Sequence, residues 1–124
     1  MDNDEYYSLD DLPTVNRSAI TLEPTEAFKQ WARSCPGGDP KNLLDGWENE
    51  ERTVYLIPEI DYKPDAWLRK NFLILFETEL NGWWTDEAAW PTDRSFRNFK
   101  IFFKIHFSSM VMDLGKGSIE HDEL

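Results

Sequence analysis

The chain has 124 residues, room for a single domain that withdraws roughly two thirds of its unfolded surface from water. Its 24 acidic residues against 13 basic ones leave a formal charge of -11, which repels nucleic-acid phosphates and anionic lipid and favours a basic protein as partner. The longest apolar run, residues 72–76, is far too short to cross a bilayer, while 40 % apolar and 15 % aromatic content still fill a core.

Residues 1–14 are acidic, with Tyr6, Tyr7, Leu9 and Leu12 as the sizeable apolar side chains, and read as a flexible arm. The first eleven positions hold Asp2, Asp4, Glu5, Asp10 and Asp11 and no base, the opposite of a secretory leader, so a cytoplasmic chain is expected. On that reading the glycosylation triplet Asn16-Arg17-Ser18 and the retrieval-like ending His121-Asp122-Glu123-Leu124 are coincidences.

Residues 18–22 alternate as a short strand with Ile20 and Leu22 inward, ended by Pro24, which cannot donate to a ladder. Thr25 is positioned to cap a helix whose Ala27, Phe28, Trp31 and Ala32 share one face. Cys35 stands alone, which excludes an internal disulfide and suits a reducing compartment, and Pro36, Gly37, Gly38 and Pro40 stop the helix after it. A thiolate at a helix C-terminus is not favoured by the macrodipole, so Cys35 reads as a packed residue rather than a nucleophile.

Leu43, Leu44 and Trp47 fall in a loop or short helical turn, and residues 52–57 form a second strand ending at Pro58. Asp65 is positioned to cap a second helix over 66–80, with Leu68, Phe72, Leu75, Phe76 and Leu80 facing the core and Gly82 offering a left-handed stop. Thr92 or Asp93 is expected to cap a short helix using Phe96 and Phe99. From Ile101 the period becomes two: Phe103, Ile105 and Phe107 alternate with Lys104, His106 and Ser108 in a half-buried strand extending towards Leu114.

The order β-α-β-α-α-β predicts an α+β domain over 15–116, a small two-layer sandwich in which two to three helices cover a three-stranded mixed sheet. A flexible acidic tail, 117–124, follows. The first crossover is long enough for parallel neighbours, which would be right-handed.

At four places, Ile57-Pro58, Phe76-Glu77-Thr78-Glu79-Leu80, Trp90-Pro91-Thr92-Asp93-Arg94 and Met110-Val111-Met112-Asp113-Leu114, the chain resembles small uncharacterised acidic bacterial proteins with a Trp-Pro-x-x-Arg loop and a Met-Val-x-Asp-Leu terminal strand. The resemblance spans about residues 18–114 and implies a compact bacterial domain; it implies no chemistry.

The stretch from Trp83 and Trp84 through Asp86 to Trp90 carries three of the six tryptophans beside carboxylates. Read structurally, it is a loop pinned by Arg94, by stacking on Trp90 or pairing with a carboxylate. Read functionally, Trp83, Trp84, Asp86, Trp90 and Arg94 form a recognition patch.

The catalytic alternative gathers His106, Asp113 and helix carboxylates such as Glu77 and Glu79 for acid, base or metal chemistry. Glu77 and Glu79 are two apart and point in different directions, Ser108 and Ser109 make an awkward couple with His106, and His121 lies near the end. No cysteine set, His-Glu-x-x-His, phosphate loop or nucleophile elbow occurs, so no metal and no cofactor are expected. Two functions follow: a non-enzymatic interaction module, such as an immunity or antitoxin-like inhibitor of a basic partner, or a small hydrolase or metal-dependent enzyme centred on His106. Neither nucleic acid nor membrane is an expected partner, and a homodimer is compatible with the aromatic excess and a free sheet edge.

Overall fold

The computed structural model describes residues 13–36 and 52–122; the expected loop at Leu43, Leu44 and Trp47, and nearly all of the arm at 1–14, lie outside them. Strand β1 (Arg17–Pro24) leads into α1 (Glu26–Ser34), then β2 (Tyr55–Pro58), the long α2 (Asp65–Trp83), a 3-10 turn (Glu87–Ala89), α3 (Phe96–Phe102) and β3 (Phe103–Ser108). The order is the expected β-α-β-α-α-β.

The sheet runs β2-β1-β3, with β1 central. Both pairings are antiparallel, Ile20 opposite Tyr55 and Leu22 opposite Ile105, so the sheet is antiparallel throughout rather than mixed. The stretch between α1 and β2 is long enough to bring the chain back to either end of β1, so it does not dictate direction. Ser18 Oγ accepts the Ile60 N–H at 2.9 Å and lies 3.0 Å from the Ser109 carbonyl, tying the chain that leaves β2 and the chain that leaves β3 to the same end of β1. Ser18 is fully buried, as that role requires.

Strand parity divides the sheet into two faces. Ile20, Leu22, Ile57 and Phe103 join the core, with Tyr55, Ile105 and Phe107 packed against it, under Phe28 and Ala32 of α1, Leu68, Leu75, Phe76 and Leu80 of α2, and Phe99 and Phe102 of α3. Phe76 and Phe99 have no exposed surface and sit 5.6 Å apart between ring centroids, at the centre of an aromatic lattice that includes Phe28, Phe72, Phe102 and Phe103. Each such buried ring contributes about 1.5–3 kcal/mol relative to exposure.

Several helix boundaries differ from expectation. Thr25 precedes α1, but its Oγ1 makes no cap; it lies 2.6 Å from the Ile101 carbonyl, and its backbone N–H donates to Phe102, tying the β1–α1 corner to the end of α3. Asp65 is the first residue of α2 rather than its cap, where its charge still suits the helix N-terminus. Ser95 replaces Thr92 or Asp93 as the α3 cap, accepting from the Asn98 N–H at 3.2 Å, while Asp93 accepts from the Ser95 N–H. Helix α2 does not stop at Gly82. It runs on to Trp83, whose indole N–H donates to the Ala32 carbonyl at 3.1 Å, so docking on α1 holds the last turn helical; left-handed backbone occurs instead at Gly117, φ 82°. Ile101 and Phe102 belong to α3, and beyond β3 the ladder is reduced to a Thr14–Met112 bridge.

Candidate functional site

The tryptophan stretch is a clasp. Trp90, 7 % exposed, joins the core and donates its indole N–H to the Trp84 carbonyl at 2.7 Å. Trp31 of α1 donates to the Ala89 carbonyl at 2.8 Å, so the stretch is stitched to α1 from both sides, by Trp31 and by Trp83. Asp86 turns inward on its own loop, accepting the Ala88 N–H. The Arg94 guanidinium lies over the Trp90 ring at 5.8 Å, donates to the Pro91 carbonyl, and places Nε 3.7 Å from Glu77. Both pinning contacts read from the sequence are therefore present. Of the five patch residues, Trp90 is interior, Trp83, Trp84 and Arg94 are half-buried, and Asp86 is exposed. The Trp84 indole nitrogen is buried without a hydrogen-bond partner among the described residues.

His106 projects from the outer face of β3, opposite Thr21 of β1, and its Nε2 lies 2.8 Å from Glu23 Oε1. Arg52 reaches the same Glu23 oxygen at 3.9 Å. Hydrogen bonding from His106, reinforced by the charges of Arg52 and Lys104, holds the Glu23 carboxyl below its ordinary value. Asp113, the other half of the sequence-derived pair, accepts the Gly115 N–H and lies near Pro13, to whose carbonyl its own N–H donates. Thr21 and Pro13 stand eight residues apart, on the order of 25 Å if extended, so the two ends of the pair are served by different parts of the sheet.

A cleft of about 410 Å³ opens at the C-terminal end of α2, between the end of β1, α1 and the approach to β2. Glu79 lines it with Trp83, Phe28, Thr53, Thr78 and Asn81, and Arg52 stands among its lining residues. The Tyr55 hydroxyl donates to Glu79 Oε2 at 2.5 Å. Burial raises the Glu79 carboxyl above the usual carboxylate range, partly offset by that hydroxyl, and raises the Tyr55 phenol as well. Glu77, two residues earlier, points instead to Arg94, as the helical spacing requires. Tyr55 and Glu23 are the site residues that the sequence did not single out. The signal was strand parity, which puts Tyr55 on the helix side of the sheet and Glu23 beside the His106 row.

At the opposite end of the sheet, Leu56 and Ile119 line a groove of about 340 Å³ with Asp113, Arg17, Val15 and His121. Val15 also borders a smaller hollow with Met110, Glu59 and Asp61. Leu56, Met110, Met112 and Ile119 are 45–63 % exposed.

Cys35 is buried behind α1, its thiol 3.6 Å from the Trp31 carbonyl, and burial pushes the thiol up, away from nucleophilic character. Among the described residues no three His, Cys, Asp or Glu side chains gather to hold a metal ion, and no helix is long and apolar enough to cross a membrane. Comparison with models of known protein families, with curated proteins and with solved structures finds no match.

Proposed function

We propose that this chain is a non-enzymatic interaction module of the bacterial cytoplasm, an immunity or antitoxin-like inhibitor that binds a basic partner protein. The observation that carries the reading is the pair of hollows where the chain leaves β2 and β3. Leu56 and Ile119 stand exposed in one, with Asp113 and Arg17, and Met110 in the other, with Glu59 and Asp61, on a chain of formal charge -11. Exposed apolar groups ringed by charge are what a protein interface requires: the apolar area holds the complex, and the acidic field speeds encounter with a basic surface and rejects acidic ones. The enzyme reading has less behind it, since His106 meets the single carboxylate Glu23 on the outer face of the sheet and not at the floor of a cleft.

The test is capture by the immobilised chain at about 0.01 M and about 1 M salt, where the Debye length falls from roughly 30 to 3 Å. A Leu56→Ser, Ile119→Ser variant of unchanged circular dichroism runs alongside. The expected result is a basic protein retained at low salt, weakened at high salt, lost by the variant, and silenced in its own activity when the purified pair is mixed. Absence of such a protein, equal retention by the variant, or a chain that sediments as a homodimer with this surface covered overturns the proposal.

A further inference from the structure

A hollow of about 240 Å³ lies where the start of α2 and the outer side of α3 meet β3, with Asp65, Arg69, Lys100, Ile105 and Phe107 among its lining residues. Helical spacing builds its charged rim. Lys100 stands one turn beyond Phe96 on α3, and its Nζ is 4.7 Å from the centre of the Phe96 ring. Arg69 stands one turn beyond Asp65 on α2, yet its guanidinium lies over the same Phe96 ring, at 5.0 Å, instead of pairing with that carboxylate. Among the described residues the ion pairs join Arg33 to Glu26, Arg52 and His106 to Glu23, and Arg94 to Glu77, so Arg69 and Lys100 bring two unpaired positive charges to one ring.

The surroundings suit a single negative charge on an apolar body. Asp65 is the first residue of α2, where the positive pole of the helix answers part of its charge, so the two cations outweigh it. A guanidinium fork grips a carboxylate through two parallel hydrogen bonds, and an ammonium adds a point charge beside it. The formal charge of -11 on the whole chain opposes a second negative charge on the ligand, which favours a monoanion over phosphate. Of the apolar lining, Leu68 is buried, whereas Ile105 and Phe107, on the same side of the edge strand β3, are half-buried and leave apolar surface for a ligand to cover. Phe96 is already in contact with Phe72, Phe99 and both cations, and serves as their anchor. The volume falls below the roughly 300 Å³ at which sites for drug-sized molecules begin, which suits one small acid rather than a nucleotide.

We propose that this hollow binds a small free monocarboxylic acid with an aromatic or branched aliphatic body, its carboxylate on Arg69 and Lys100 and its body against Ile105 and Phe107. The assignment goes beyond the interaction reading above and does not depend on it, since none of these residues lines the two hollows that carry that reading.

The test is a nuclear magnetic resonance titration of the full chain with hydrocinnamate, with hydrocinnamamide, its neutral analogue, as control. The acid is expected to shift the Ile105 methyl and Arg69 side-chain N–H signals saturably, with a dissociation constant in the millimolar range, and the amide to leave them unmoved. Arg69 and Lys100 are exposed, so an Arg69→Gln, Lys100→Gln variant is expected to keep the wild-type circular dichroism and to bind the acid about tenfold more weakly or worse. Should that variant not fold, the comparison of acid with amide on the wild-type chain decides alone. Inorganic phosphate and Nα-acetyl-glutamate-methylamide, a mimic of a protein side chain, complete the series and are expected to bind less well than hydrocinnamate. Equal shifts from the amide, no saturable shift, affinity unchanged in the folded variant, or tighter binding of phosphate or of the glutamate mimic overturns the assignment.

Discussion

The indole N–H of Trp90 donates to the carbonyl of Trp84, so the loop after α2 closes through a side chain rather than through a backbone turn. The ring that makes this bond also fills the core beside α1 and the sheet. Packing and hydrogen bonding are therefore separable by substitution. Trp90→Phe keeps most of the apolar area and is expected to cost about 1–3 kcal/mol, with the Trp84 carbonyl deprived of its donor; Trp90→Ala is expected to cost about 3–5 kcal/mol. Urea unfolding followed by circular dichroism measures both. A Trp90→Ala variant as stable as the wild type would show that the clasp is not part of the fold's support.

Ser18 is the polar residue at the heart of the sheet's open end, and its hydroxyl serves the Ile60 N–H and the Ser109 carbonyl together. Ser18→Ala strands a buried donor and acceptor while changing volume little. The expected loss is about 1–3 kcal/mol in urea unfolding, accompanied by faster amide exchange at Ile60. Unchanged exchange at Ile60 would mean that the hydroxyl is not what holds the chain leaving β2.

The elements that could be read from residue order are those fixed by burial on one face. Phe103, Ile105 and Phe107 alternate with Lys104, His106 and Ser108, and the Leu68 to Leu80 stripe of α2 repeats at helical spacing, because solvent on one side and core on the other impose a period. The helix ends were less legible, since a cap is a local competition that distant groups can win: Thr25 is claimed by the carbonyls of α3, and Gly82 is overruled by the docking of Trp83 on Ala32. Strand direction escaped for a related reason: the pairings of β1 with β2 and with β3 join residues far apart in sequence, and neither alternation nor connection length records their sense. Of the site residues, Arg94 was legible in its contact with Trp90, four residues before it, whereas its pairing with Glu77 needed the position of α2. The Glu23–His106 and Tyr55–Glu79 pairs needed the register of the sheet and the seating of α2 against β2.

Glu23 and His106 offer a test of that register. His106 hydrogen bonding, with Arg52 and Lys104 nearby, depresses the Glu23 carboxyl below 4.5 in the folded chain. A depressed carboxylate contributes stability above its ordinary value and loses it as pH falls through the folded value. His106→Ala is therefore expected to raise the Glu23 midpoint towards 4.5, and the stability difference between wild type and variant to shrink on acidification below that value. Carboxyl chemical shifts read the first, urea midpoints against pH the second. A Glu23 midpoint unmoved by the substitution would break the pairing.

Glu79 carries the opposite sign. Burial holds its folded-state carboxyl above 4.5, so the native chain keeps this proton after the unfolded chain has released it. Its contribution to stability therefore falls as pH rises from 4.5 to the raised folded value, and is level beyond it. Glu79→Gln has no proton to lose and is expected to gain on the wild type across that window. Tyr55→Phe removes the donor that partly offsets burial, so it is expected to raise the Glu79 midpoint further and to cost about 1.5–3 kcal/mol once Glu79 is charged. Urea unfolding of the three proteins between about pH 3 and 8 measures these slopes. Parallel curves for wild type and Glu79→Gln would mean that Glu79 titrates as an exposed carboxylate.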